Sequence, residues 1–223
     1  MRSFVKRFFL FNLIMAYFSV FINAQDVRIS AIPYIMQFEN EVLDYSIVDG
    51  NHFKIVAPAK TDLYITSDGG YEVNKSPRLL FKPDSNFTLI SKIKLEFNSK
   101  WDAGVLLIYN DSKHYAKLCF EQDFTGKQRV VTVVCNETSD DCNSMIINDN
   151  EIYFRIAGST KEKSFAFAYS EDGIKWFPVR GFKLDKIDNV RIGFSAQSPT
   201  GKKCSVDFSE IYFRDEKPKD ILW

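Results

Sequence analysis

Apolar and polar side chains alternate repeatedly along this chain, in short runs broken by turn residues, and no stretch holds the i, i+3, i+4, i+7 spacing of an amphipathic helix for long. A period of two suits a strand with one dry and one wet face, because successive Cβ atoms leave a pleated backbone on opposite sides. The runs are Phe53 to Val56, Leu79 to Phe81, Thr88 to Phe97, Gly104 to Tyr109, Tyr115 to Glu121, Gln128 to Val134, Glu151 to Ile156, Ser164 to Tyr169, Val190 to Ser195 and Cys204 to Phe213. Between them lie Asp49-Gly50, Asp68-Gly69-Gly70, Thr125-Gly126, Asn148-Asp149-Asn150, Asp172-Gly173 and Ser198-Pro199-Thr200-Gly201. Asp-Gly reaches positive φ at little cost, so Asp172-Gly173 predicts a hairpin between Ser164 to Tyr169 and Ile174 to Trp176. About ten short strands in roughly 190 residues predict an all-β fold, a two-sheet antiparallel β-sandwich or jelly roll.

Parity within the strands assigns their faces. Ala116, Leu118 and Phe120 form the apolar set of one strand and are predicted to face the core, leaving Tyr115, Lys117, Cys119 and Glu121 on the wet side. Ile152, Phe154 and Ile156 likewise point inward, with Tyr153 and Arg155 opposite. Val190, Ile192 and Phe194 form a third inward set, and Phe165, Phe167 and Tyr169 oppose Ala166 and Ala168.

The N-terminus has the layout of a signal peptide: Lys6 and Arg7, an apolar stretch from Phe8 to Ile22, and a small residue, Ala24, before Gln25. That stretch is shorter than the roughly 20 residues that span a bilayer, so cleavage after residue 24 and export to a secreted or periplasmic location are expected, with no membrane attachment afterwards. The remainder divides into a single domain, 25–215, and a C-terminal tail, 216–223. The whole chain has 29 acidic and 29 basic residues, and the leader's Arg2, Lys6 and Arg7 leave the mature part slightly acidic. Such a balance lacks the basic field that captures a phosphate backbone, which argues against nucleic-acid partners.

Four cysteines, Cys119, Cys135, Cys142 and Cys204, fall in the exported part. An oxidising compartment permits two disulfides in three connectivities. Cys135 and Cys142 flank the polar run Asn136-Glu137-Thr138-Ser139-Asp140-Asp141, and a disulfide closing that surface loop would add about 2 kcal/mol. Cys119 and Cys204 sit in strand-like runs where buried thiols are equally natural. With no CxxC and no Cys/His cluster, neither a metal nor another cofactor is expected.

One succession of blocks is more specific than any single one: Thr61-Asp62-Leu63-Tyr64, Asp102-Ala103-Gly104-Val105-Leu106, Asp111 to Glu121, Val130-Val131-Thr132, Tyr153-Phe154-Arg155-Ile156, Tyr169 to Trp176, and Ile192 to Pro199. In that order they resemble the DUF1349 family, which is concanavalin A-like and is also named after a yeast regulator of enolase. The resemblance spans roughly residues 30 to 213 and implies a jelly roll of the lectin/glucanase type. It implies little about activity, since one fold of this kind hosts lectins, hydrolases and binding modules. Where family members usually carry Trp, this chain has Tyr64 and Tyr115, and Cys119 replaces a glycine.

Catalytic patterns match poorly. The Glu-x-Asp-x-x-Glu arrangement of jelly-roll glycosidases is approached only by Ser205 to Glu210, whose first position is Ser. Ser170 to Trp176 is one residue short of a sialidase Asp-box, and neither histidine accompanies a Gly-x-Ser-x-Gly elbow. Glu137, Asp140 and Asp141 would suit calcium, although a solvated acidic loop is the simpler reading. Trp101 and Trp176 offer aromatic faces to a sugar ring. The expected site is therefore a non-catalytic groove for an oligo- or polysaccharide, lined by Tyr115, Lys117, Glu121, Thr132, Tyr153, Arg155 and Trp176. Glu121 and Arg155 are its polar anchors, unless they pair with one another as a structural ion pair. Two other readings are a glycoside hydrolase pairing Glu121 with Asp62 or Asp102, and a protein-interaction sandwich without a small ligand.

Overall fold

A computed structural model describes residues 26–219, so the leader and the last four residues of the tail lie outside the described residues. The chain order is β1 (Asp26–Val27), β2 (Met36–Glu39), β3 (Asp44–Asp49), β4 (His52–Pro58), β5 (Leu63–Ile65), β6 (Glu72–Asn74), β7 (Arg78–Phe81), β8 (Asn86–Leu95) and β9 (Ala103–Asp111). It continues with β10 (His114–Gln122), β11 (Gln128–Asn136), β12 (Thr138–Ile146), β13 (Glu151–Ser159), β14 (Ser164–Ser170), β15 (Phe177–Lys183), β16 (Arg191–Gln197) and β17 (Lys203–Arg214). Among the described residues there is no helix.

Eight strands form one sheet in the order β1-β2-β7-β16-β9-β10-β11-β12, seven form a second in the order β15-β14-β13-β8-β17-β4-β3, and β5 pairs with β6 alone. All the pairings are antiparallel. Strands adjacent in space are often distant in sequence: β16 lies between β7 and β9, and β17 between β8 and β4. This is the all-β two-sheet sandwich that the alternation predicts.

The inward parity sets meet between the sheets. Ala116, Leu118, Phe120, Ile152, Phe154, Ile156, Val190, Ile192, Phe194, Phe165 and Phe167 all join one buried cluster. Its centre is aromatic: the rings of Phe53 and Phe194 are 4.9 Å apart edge to face, and Phe53 stacks on Phe208 at 5.2 Å. Each such side chain contributes about 1.5–3 kcal/mol through burial, which is what holds two sheets with few sequence-local contacts together.

All ten predicted runs are strands; β1, β2, β3, β5, β6, β12 and β15 escaped the pattern, and the three longest of these, β3, β12 and β15, share a reason. Each ends a sheet, where backbone pairing on one side suffices and side chains need not alternate. The Asp172-Gly173 turn does join β14 to β15. The second strand begins at Phe177 rather than Ile174, because Asp172 Oδ1 accepts the N–H groups of Ile174 and Lys175 and holds them in the turn.

The expected Cys135–Cys142 disulfide is absent, and all four cysteines are free thiols. The segment taken for a loop is the β11–β12 hairpin, in which Cys135 opposes Ser139 and Cys142 opposes Thr132. Cys135 and Thr132 are an odd number of residues apart on β11, so the two sulfurs leave opposite faces of the sheet. Cys119 and Cys204 belong to different buried clusters, one on each side of the larger sheet.

A second correction concerns the face bearing Lys117. It is mostly covered: Leu63 and Ile65 of β5 pack on Val105, Leu107, Tyr115, Cys119, Val131 and Val133, giving the larger sheet a second apolar layer on its outer side. Alternation had placed these side chains correctly, but it could not reveal that residues 61–76 fold back over them.

Candidate functional site

That cover stops short of the Glu121 end of β10, and there the outer face of the larger sheet opens into a cleft of about 430 Å³. Its floor comes from same-face residues of the larger sheet: Lys117 and Glu121 on β10, Val131 and Val133 on the neighbouring β11, and Gln197 on β16, one strand beyond β9. Its walls are Asp62 and Tyr64 at the start of β5, Tyr71, Trp101, Asp141, Pro199 and Thr200.

The floor is a connected polar chain. Lys117 Nζ donates to Asp62 Oδ1 at 3.2 Å and to Gln197 Oε1 at 3.1 Å. The Gln197 amide donates to Glu121 Oε2 at 3.4 Å and to the Trp101 carbonyl at 3.2 Å. Lys117 is only 3% exposed and Glu121 9%. Burial pulls the Lys117 pKa down, but the neighbouring acidic groups, Asp62 foremost, outweigh it and hold the ammonium above its ordinary value. Burial also pushes the Glu121 carboxyl up, opposed by Lys117 and reinforced by Asp62, Asp141 and Asp123, to about 8. Among the described residues Glu121 has no cation within salt-bridge distance.

The aromatic walls are fixed from behind. Tyr64 donates its hydroxyl proton to Asp141 Oδ1 at 2.9 Å, while Ser139 of β12 accepts the N–H of Ile65 at 3.0 Å and lies 2.9 Å from the Tyr115 hydroxyl. These contacts tie the covering segment to the sheet. Trp101 is 42% exposed at φ 65°, in the left-handed region where a bulky side chain is strained. Asp102 supports that turn: fully buried, it accepts the Ser198 hydroxyl at 2.7 Å and the backbone N–H of Ser99 at 3.0 Å. Burial, opposed by those hydrogen bonds, raises its pKa.

The expected groove is thereby divided. Of its residues only Lys117 and Glu121 line the cleft. Tyr115 is fully buried beneath the cover. Thr132 opposes Leu118 and so turns toward the space between the sheets. Tyr153 and Arg155 are on β13, in the other sheet, on the face away from the core. There Tyr153 donates to Glu210 at 2.9 Å, and the Arg155 guanidinium lies 4.9 Å from the centre of the Trp176 ring. Glu121 and Arg155 therefore cannot pair, because they occupy different sheets.

The acids considered for calcium are likewise scattered among separate partners, Glu137 with Lys113, Asp140 with Arg180 and Asp141 with Tyr64. Of the carboxylates proposed beside Glu121, Asp62 shares the cleft and Asp102 serves the turn. Trp101 had been singled out for its aromatic face. Tyr71 and Gln197 carry no such signal, and Tyr64 and Asp141, noted for other reasons, reach the cleft only because a covering segment and an edge strand bring them there.

Residues 38–216 match the model of a family described as a protein of unknown function, DUF1349. No curated protein matches the chain. A Saccharomyces cerevisiae protein whose crystal structure is described as functionally unknown superposes with a TM-score of 0.75 at 18% identity, over 84% of this chain and 98% of that one. The GH43 BlXynB protein of Bacillus licheniformis gives 0.63 at 14% identity over 84% of this chain and 37% of that one. A xylan beta-1,4-xylosidase of Bacillus halodurans gives 0.61 at 13% over 74% and 33%. This chain thus corresponds to about a third of the length of those two bacterial proteins, and at such identities the likeness concerns the fold.

Proposed function

Because the chain belongs to the DUF1349 family, whose description assigns no activity, we propose from the cleft itself that this is an exported, non-catalytic saccharide-binding module. The observation that carries the reading is one open cavity where Trp101, Tyr64 and Tyr71 stand beside Asp62, Lys117, Glu121 and Gln197. Aromatic faces match the C–H faces of pyranose rings, and hydrogen-bonding groups at fixed positions orient hydroxyls. The strained backbone of Trp101, held by buried Asp102, supports a functional use of that ring. Fold likeness to parts of glycoside hydrolases is compatible with this and carries less weight. Free thiols do not bear on export, for which the leader-like residues 1–24 are the support.

Calorimetry of the purified domain against neutral gluco- and xylo-oligosaccharides, guided by a glycan array, tests the reading. Binding that Trp101→Ala weakens supports it, whereas silence toward every saccharide class on the array overturns it. One observation favours a second reading. Glu121, raised to about 8, shares the cleft with Asp62, and a glycoside hydrolase needs a protonated acid and a second carboxylate in one cavity. Release of reducing ends by the wild type and not by Glu121→Gln would establish hydrolysis and displace the binding module.

A further inference from the structure

The cleft lining holds three carboxyl groups, Asp62, Glu121 and Asp141, against one ammonium, Lys117. That ammonium is already bound to Asp62 and Gln197. Glu121 is nine-tenths buried, its single contact is a long one to an amide, and its carboxyl borders the empty volume. Three aromatic rings surround the same space, and ring faces attract cations as well as sugar C–H groups. An adjoining recess shares Asp62, Tyr71 and Pro199 but carries Lys60 and Lys75 against Glu72, so the excess of acid is confined to the cleft proper. Resting on the saccharide reading, we propose that the cleft selects amine-bearing sugars: a protonated amino group seats against Glu121, and the pyranose ring lies against Trp101.

The groups facing Glu121 are Lys117 and Asp123 from its own strand and the following turn, Asp62 from the β4–β5 connection, Asp141 from β12 and Gln197 from β16. With its carboxyl raised to about 8, Glu121 is largely protonated near neutrality in the free protein. An arriving ammonium favours the carboxylate, so Glu121 loses its proton to buffer as the ligand binds. The ligand amine, titrating near the α-amino range of roughly 7.7–8.0, is charged at about pH 6.5.

Calorimetry at about pH 6.5 in two buffers of different ionisation enthalpy tests this, with glucosamine oligomers, their N-acetylated forms and neutral gluco-oligosaccharides as probes. The expected result is at least about tenfold tighter binding of the free amines and release of a fraction of a proton. Glu121→Gln is expected to abolish both the preference for the free amines and the proton release. Equal affinity for amine and neutral sugars overturns the amine assignment and leaves the saccharide reading standing. Failure of every probe to bind overturns the amine assignment, and silence across the glycan array as well overturns both. Should Glu121→Gln not fold, the wild-type preference for free amines over their N-acetylated forms decides the question.

Discussion

Replacing Glu121 by Gln removes one titration and little else, since the side chains are isosteric and the Gln197 contact can be kept. In the folded chain the carboxyl is raised from 4.5 to about 8, first by burial. Below about 4.5 both folded and unfolded chains carry the proton. Between the two values the folded chain keeps it and the unfolded chain has released it, so raising the pH favours unfolding by about 1.4 kcal/mol per pH unit. Above about 8 both are ionised and the full penalty of a buried carboxylate persists. Across that window the penalty amounts to about 3–5 kcal/mol, the lower figure applying where cleft water relieves burial. Urea denaturation of wild type and Glu121→Gln at about pH 4.5, 6, 7.5 and 9 follows this group, because titrations of groups not coupled to Glu121 cancel in the difference. The variant is expected to gain on the wild type as pH rises, by about 3 kcal/mol or more over the series. A difference constant within about 1 kcal/mol would refute the claim that Glu121 is a desolvated carboxyl.

Gly104 tests the sandwich core: a Cβ there would stand 2.5 Å from Ile93 and 2.6 Å from Val206 across the two sheets, so Gly104→Ala should cost about 1–3 kcal/mol and lower Tm by several degrees. Trp101→Gly should change stability by less than about 1 kcal/mol, since relief of the left-handed strain offsets glycine's entropy, yet weaken saccharide binding about tenfold by calorimetry. In the native protein a maleimide should label Cys142 alone, because Cys119, Cys135 and Cys204 are buried; intact mass showing an oxidised Cys135–Cys142 pair would contradict the register of β11 and β12. Lys117→Met should leave the part-buried Asp62 carboxylate and Gln197 Oε1 without the ammonium they hold and destabilise the fold by about 2–4 kcal/mol, with the loss visible as a shifted urea midpoint.

Alternation was enough to define the fold class, ten strands and the inward sets, because in a two-layer sandwich each central strand must obey the pleat whatever its neighbours are. Leu118 against Lys117 and Phe154 against Arg155 are local facts of that kind. Which outward faces share a surface depends instead on strand order. Glu121 and Arg155 looked like neighbours in a list of strands, yet β10 and β13 belong to different sheets. Within the β10–β11 and β11–β12 hairpins it is register that turns Thr132 inward and separates the sulfurs of Cys135 and Cys142, and valines on both faces of β11 hide that parity in the sequence. Only the tertiary structure laid residues 61–76 across the larger sheet, which buried Tyr115 and delivered Asp62, Tyr64 and Tyr71 to the open cleft beside Glu121. Period and parity are set by bond geometry within a strand and are written in the sequence, whereas the cleft is set by contacts between segments far apart in the chain, which no local pattern encodes.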